Sequence, residues 1–580
     1  MAKGRPKRTS MLDRTSEQKQ RQGTVQELIE FVLPGARADQ CPAWPPDVFA
    51  VAATVMKRNG AYVQCVVTGV GSSPAPEPLF ESGWPRQATD VGEAWRKSVN
   101  ETLKTFAGAG KLSIGDALKK TNIPGAVRDA WRIVCDLASI SLETSARDRT
   151  LIRALIQLSS YADEASYGIG LGKLGGAGDR FGSSATLFLQ VNGRRSFCHL
   201  VNHQKARVLG KKHTPQQGLT LRSLTHHLSL CMPWEVEPQW YDLDAPRLDD
   251  VLNFLLLPWP LEINARDFQC VDDVAEGLGP RDHRLFKYER PPIKAAEFRR
   301  RLSAAIDLAV TRVSQLHAVV LPELALTVEE WKLAERIAID RGVMLISGLI
   351  DDVDDSSRLP VNSCRIQMMS LPSAGKHASK LSTAHARPPA YRQAKHHRWC
   401  LDRSQVLQYD LGGQLPAALR CWENSHIGRR GIFFAHLGGW LTFSVLICED
   451  LARQDPIADV LRSVGPNLVM ALLMDGPQLA ARWPARYASV LADDPGTSVL
   501  TLTSLGMCRR SKDSGTGKAG SRTIALWKDK LYGTREIELA QGSVGCVLSL
   551  GRERREEFTA DGRGDGKNTE VPVFSGVFQL

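Results

Sequence analysis

The second half of the chain alternates short apolar runs with segments of helical spacing. Leu316-His317-Ala318-Val319-Val320-Leu321 leads to Pro322-Glu323. A run of this length predicts a buried strand. Proline cannot donate to a ladder, so the strand should stop there and hold the Glu323 carboxylate at its carboxyl end. Thr327 to Arg341 predicts a helix. Thr327 can cap it, Glu330 follows three residues on, and Trp331, Ala334, Ile337 and Ala338 recur at helical spacing. Val343 to Gly348 is apolar again and reads as a strand. Strand, helix and strand in this order put functional groups at one sheet edge. The run Trp440 to Ile447 ends in Cys448 and turns polar at Glu449-Asp450-Leu451, which presents a thiol at the edge of a sheet.

Residues 26–160 carry a different pattern, mainly helical. Val25 to Val32 starts one helix and Pro46 to Ala53 another, with proline suited to a first turn. Amphipathic spacing continues over 91–107 and 126–159, and Pro74 to Pro85 is a turn-rich connection. The glycine-rich stretch Gly168 to Gly178 lacks the Gly-Lys-Ser/Thr ending of a P-loop and follows no clear strand, so it reads as a loop. Tyr161-Ala162-Asp163-Glu164 lacks the second aspartate of a polymerase Tyr-x-Asp-Asp element. Cys198, His199, His203, His213, His226, His227 and Cys231 are the densest metal-like cluster. No Cys-x2-Cys or His-Glu-x-x-His pair occurs among them, so polar packing is the better reading and no metal or cofactor is expected.

Three lysines fall between Glu323 and Cys448. Lys376 and Lys380 lie in a Ser/Ala/Gly-rich stretch, whereas Lys395 lies in the polar and aromatic segment Tyr391 to Trp399, which suits a structured loop. Glu323, Lys395 and Cys448, at intervals of 72 and 53 residues, resemble the catalytic triad of the nitrilase, or carbon–nitrogen hydrolase, superfamily. Further segments resemble that family too: Asn362 to Ile366 as the strand before the lysine loop, Asn467 to Leu473 as the strand after the cysteine helix, Arg482 to Gly506 as helix, strand and terminal glycine, and Gly520 to Ile524 as a closing hairpin. The likeness spans residues 250 to 552. It implies a four-layer α-β-β-α sandwich over 250–580, hence an α/β fold, preceded by a mainly helical domain over 26–245 and a basic tail over 1–25. Glu423, 25 residues before Cys448, stands where the family often keeps a second glutamate. Ile-Cys-Glu-Asp-Leu looks most like the glutaminase domains that feed ammonia to NAD synthetases. The 132 residues after Cys448 are needed to complete the hydrolase fold, so no synthetase half is expected.

The resemblance implies roles that the chemistry requires. A free thiol has a pKa near ~8.5 and needs a base or cation to act as a nucleophile. Glu323 would take its proton and return it to the leaving nitrogen, and Lys395 would stabilise the oxyanion. Taken singly, each residue reads as packing, since cysteine is among the most buried residue types. Order, spacing and strand-end placement together carry the reading of a cysteine-dependent hydrolase, and the resemblance of Glu-Asp-Leu to glutaminase domains puts an amide ahead of a nitrile as substrate. The alternative is a regulatory or scaffold protein on the same fold, for which similar domains fused to reverse transcriptases in bacterial anti-phage systems offer an analogy.

Charge adds possible partners. The net charge is +11. Residues 1–25 hold seven Lys/Arg against two acids, and residues 376–403 hold seven (Lys376, Lys380, Arg387, Arg392, Lys395, Arg398 and Arg403) against Asp402, with four histidines (His377, His385, His396, His397). These two segments account for the whole excess and suggest an anionic ligand or nucleic acid beside the pocket. The family resemblance implies a homo-oligomer. No apolar run is long enough to span a bilayer, no signal-peptide core opens the chain, and the 12 cysteines are scattered, which together predict a cytoplasmic protein with reduced thiols.

Overall fold

The computed structural model describes residues 23–66, 73, 77–107, 113–171, 179–232, 235–243, 248–271, 283–369, 389–512 and 520–580. Most of the basic tail, residues 172–178 of the glycine-rich stretch, and Lys376, His377, Lys380, His385 and Arg387 lie outside them. The chain is mixed α/β, with a helical region first and large sheets after it. It divides into two compact units: residues 1–233 with 556–566, and residues 234–555 with 567–580.

In the first unit, helix α4 (Arg149–Ala165) packs against α1 (Pro45–Asn59), α2 (Trp84–Ala107) and α3 (Gly125–Asp136). Helix α1 opens on two prolines and closes on Gly60, whose φ of +72° suits a residue without a Cβ. The amphipathic stretch 126–159 is not one helix. Ser141 and Asp148 each accept the N–H three residues on and start new helices.

Buried aspartates organise the rest of this unit. Asp47 of α1 accepts the N–H groups of His199, Leu200 and Val201 at 3.0–3.1 Å. Asp163 of α4 does the same for His226, His227 and Leu228 at 2.7–2.8 Å. The latter donors lead into strand β2 (Leu228–Cys231), antiparallel to β1 (Arg207–Gly210). The segment 556–566 completes the cluster. Arg563, 1% exposed, donates to Asp163 (3.2 Å), Glu164 (2.5 Å), Asp561 and the Leu224 carbonyl. Glu557 meets His213 Nδ1 at 3.0 Å. Within the Cys/His set of 198–231, His199, His226 and His227 thus serve as backbone donors and His213 as a partner of Glu557. Among the described residues no three His, Cys, Asp or Glu groups are placed to hold a metal ion.

The second unit contains two seven-stranded sheets. One runs in the order β10 (Ala390–Ala394), β9 (Ser363–Gln367), β8 (Met344–Leu349), β7 (Ala318–Val320), β4 (Val251–Leu256), β19 (Cys546–Arg555), β20 (Thr569–Gln579). Strands β4, β7 and β8 are parallel and the remaining pairs antiparallel. Its outer face carries helices α5 (Ala295–Val310) and α6 (Val328–Asp340): Phe298, Leu302, Ile306, Trp331 and Ala334 form one core with Leu255, Val319, Leu345 and Val547. Thr327 and Glu330 form the capping box that starts α6.

The other sheet runs β18 (Gly533–Glu538), β17 (Thr523–Asp529), β16 (Ser498–Thr503), β15 (Leu468–Leu473), β14 (Leu441–Ile447), β13 (Arg430–Leu437), β3 (Val236–Asp242). Helix α7 (Trp483–Asp493) packs on β16 and β17, and β20 of the first sheet packs against β14, β16 and β17. Helix, sheet, sheet and helix thus form successive layers around a shared interior. A smaller sheet, β11 (Cys400–Leu401), β12 (Arg420–Glu423), β6 (His283–Tyr288), β5 (Phe268–Val271), is an addition the apolar pattern does not announce. Strand β3 and segment 556–566 fall on opposite sides of the boundary expected near 245–250, because each is held by pairings remote in sequence. Among the described residues, which include all 12 cysteines, there is no disulfide. Among the described residues no helix is long and apolar enough to cross a membrane.

Candidate active site

Four strand ends of the second unit converge. Glu323 lies three residues past β7, Lys395 directly follows β10, Glu423 ends β12 and Cys448 follows β14. Gly348 of β8 fixes the first of these: a Cβ there would lie 2.5 Å from Leu324 N and 2.6 Å from Glu323 Cα, so only glycine lets the two backbones approach. Its N–H donates to the Pro322 carbonyl at 3.1 Å. The Lys395 N–H donates to the Asn362 carbonyl at 2.8 Å, tying the lysine to the residue that precedes β9.

Cys448 occupies a strained turn. Its φ of +46° and ψ of −106° fall outside the regions a side chain normally adopts, at a cost of about 1–3 kcal/mol. Its N–H donates to the Leu472 carbonyl of β15 at 2.9 Å, and a short helix begins at Glu449. Asp450 supports the neighbouring loop: both of its oxygens accept the His396 N–H at 3.1 Å, and one also meets His397 Nδ1 at 3.0 Å.

The carboxylates are almost completely satisfied. Lys395 Nζ donates to Glu323 Oε1 and to Glu423 Oε2, each at 2.8 Å. The Asn362 side-chain amide donates to Glu323 Oε1 at 2.7 Å and Glu423 Oε1 at 2.5 Å. The Trp399 N–H adds a bond to Glu423 Oε2 at 3.0 Å. Glu323 Oε2 is buried and has no hydrogen-bond partner among the described residues. It is the one acceptor of the pair left for another ligand. An ammonium has three donors and Lys395 uses two on these carboxylates, which leaves a third N–H.

Electrostatics follow from the burial. Desolvation raises the Glu323 carboxyl, Lys395 opposes the rise and Glu423 adds to it. Burial works against the Lys395 charge, but Glu323, Glu423 and Cys448 together hold its pKa well above the usual lysine value. The Cys448 thiol is pushed well up, by burial first and Glu323 second, against the pull of Lys395. Burial thus favours the thiol form of Cys448 and proton uptake by Glu323.

Asn362 and Glu423 lie in the wall of a cavity of about 320 Å³, beside Trp399, Met474, Leu324 and Phe286. Two arginines of the second basic segment are engaged elsewhere. Arg392 donates to Asp352 and to the Val353 carbonyl, each at 2.7 Å, and Arg398 to the Ser425 carbonyl at 2.7 Å.

All four expected residues, Glu323, Lys395, Glu423 and Cys448, belong to this one cluster. Asn362 and Asp450 do as well, although the sequence marked them only as a strand opening and as part of a motif. A polar residue opening a buried strand is the signal for Asn362, but nothing local says what its amide bridges.

No protein-family model matches the chain, and no curated protein matches it in sequence. Solved structures resemble part of it. Nit3 of Saccharomyces cerevisiae, a member of branch 10 of the nitrilase superfamily, is 10% identical and matches 58% of this chain and 92% of its own, with a TM-score of 0.29. An amidase from Nesterenkonia sp. is 12% identical over 57% of this chain and 90% of its own, with a TM-score of 0.26. A carbon-nitrogen hydrolase from Helicobacter pylori G27 is 10% identical over 57% and 88%, with a TM-score of 0.27. Likenesses this low leave the activity to be argued from the site itself.

Proposed function

We propose that the chain is a cysteine-dependent carbon–nitrogen hydrolase of nitrilase type, acting on an amide through a thioester. The observation that carries the reading is the free Glu323 Oε2, left over when every other oxygen of the two buried glutamates is bonded to Lys395, Asn362 or Trp399.

The thiol proton passes to Glu323 Oε2 as Cys448 Sγ bonds to the carbonyl carbon. The carbonyl electron pair moves to oxygen, where the third Lys395 N–H and backbone N–H groups after Cys448 receive it. Collapse of that intermediate breaks the C–N bond, and Glu323 returns the proton to the departing nitrogen. A thioester remains. Water then attacks it, giving its proton to Glu323, and cleavage of the C–S bond restores the thiol and frees the acid. Lys395 and Asn362 keep Glu323 Oε1 occupied, and Glu423 accepts from both of them, so that Oε2 alone exchanges protons.

The test is trapping with a panel of amides, with mass spectrometry for an acyl adduct on Cys448. Turnover retained by Cys448→Ala would overturn the assignment. One observation favours a second reading, a regulatory scaffold: Cys448 is only 3% exposed. On that reading small electrophiles leave Cys448 unmodified in the folded protein.

A further inference from the structure

Asn362 has a polar atom that the reaction above does not use. The residue is 3% exposed, and its Oδ1 is buried without a hydrogen-bond partner among the described residues. The orientation of this amide is set by its surroundings. Both hydrogens of Nδ2 are spent on carboxylates, 2.7 Å from Glu323 Oε1 and 2.5 Å from Glu423 Oε1. A flipped amide would set its oxygen against both carboxylates, so Nδ2 is the donor and Oδ1 is left as an acceptor. The residue cannot swing aside, because its N–H is bonded to Ser425 Oγ at 2.9 Å and its carbonyl accepts from Lys395. Asn362 also lines the 320 Å³ cavity that ends at Glu423, a volume that suits a small ligand. An unpaired buried acceptor is costly. A ligand that brings an N–H into that cavity removes the cost, and one that brings none does not.

We propose that Asn362 Oδ1 receives an N–H of the substrate's carboxamide nitrogen, so that the site selects unsubstituted amides over nitriles. This rests on the hydrolase reading and deepens it. A nitrile carbon is as open to a thiolate as an amide carbon, but a nitrile nitrogen carries no hydrogen. A dialkylated amide nitrogen carries none either. The same asparagine thus links recognition to chemistry, holding the two glutamates with its donors and reading the leaving nitrogen with its acceptor.

The test needs no knowledge of the natural substrate. Acrylamide, N,N-dimethylacrylamide and acrylonitrile all alkylate a thiol by the same addition. The sulfur bonds to the terminal alkene carbon, the π pair moves to the inner carbon, and the thiol proton ends there. Labelling of Cys448 is followed by mass spectrometry in the full chain, and each rate is divided by that of free cysteine with the same reagent. The expected result is saturable labelling by acrylamide, favoured over both other reagents by roughly tenfold to a hundredfold. Because acrylonitrile is the smallest of the three, a steric cause would give the opposite order for it. Equal normalised rates for all three in wild type would overturn the proposal while leaving the hydrolase reading intact. No labelling of Cys448 by any of them, with full labelling after denaturation, would overturn the hydrolase reading itself. The variant Asn362→Ala should reduce the acrylamide-to-acrylonitrile ratio to that of free cysteine. An unchanged ratio in that variant assigns Asn362 a purely structural role and overturns the proposal.

Discussion

The chain holds two buried clusters of charge that look alike in composition and differ in what they leave open. In the first unit, Asp163, Glu164 and Asp561 surround Arg563, and Asp163 also takes three backbone N–H groups. In the second, Glu323 and Glu423 surround Lys395, and Glu323 Oε2 has no partner. Titration separates the two. Burial alone would raise the Asp163 carboxyl, but His227, Arg563 and His226 beside it outweigh that and hold it below the usual aspartate range. Burial and Glu423 raise Glu323 despite Lys395. A guanidinium and three backbone N–H donors favour the ionised form of Asp163, whereas burial and a second carboxylate favour proton uptake by Glu323. The first arrangement suits a fastener and the second a base.

The largest effect that sharpens this contrast is on turnover. Cys448→Ala and Glu323→Gln should each lower kcat/KM on a responsive amide by at least ~10³-fold, with little change in melting temperature, because they remove the nucleophile and the proton carrier without opening a cavity. Arg563→Leu should do the reverse in kind. Leaving Asp163, Glu164 and Asp561 unpaired should cost about 3–5 kcal/mol, read by calorimetry as a lowered first-unit transition. An unchanged transition there would mean the cluster is not a fastener.

The two clusters should also part along the pH axis. The Glu323 base must be ionised, so activity should fall as pH drops through its raised pKa, above the ordinary glutamate value of ~4.3. The Asp163 contribution to stability is fully present above the usual aspartate pKa and is lost only as pH falls through its depressed value. Activity should therefore vanish at a pH where circular dichroism still reports a folded first unit. Coincident loss of both would break the distinction. The smallest effect is that of Gly348→Ala. It should displace the Glu323 backbone, because the added Cβ would lie 2.6 Å from Glu323 Cα and 2.5 Å from Leu324 N, and lower kcat about tenfold, since small misplacements of reacting groups are costly. The expected readout is a changed kcat with a nearly constant KM.

Legibility in the sequence followed the range of the contacts involved. The ends of β7 and β14 can be read locally, from apolar runs closed by Pro322 and by Cys448, and α6 from its capping box. Lys395 could be preferred over Lys376 and Lys380 because its surroundings are aromatic and ordered. Asn362 could not be assigned a role, since its partners lie 39 and 61 residues away and no local pattern encodes them. Strand β3 escaped notice for the same reason: its partner β13 lies almost 200 residues further on. The break-up of 126–159 was missed because amphipathic spacing runs across the caps at Ser141 and Asp148.

The segment 556–566 has a consequence for how the protein is made. Arg563 and its partner Asp163 are 400 residues apart. A ribosome that has released the α1–α4 bundle must still complete nearly all of the second unit before that arginine exists. During synthesis at ~5–20 residues per second, Asp163 and Glu164 therefore wait on the order of half a minute without their cation. The amino-terminal half should consequently be a poor candidate for expression by itself, and a holding chaperone would find its client in that interval.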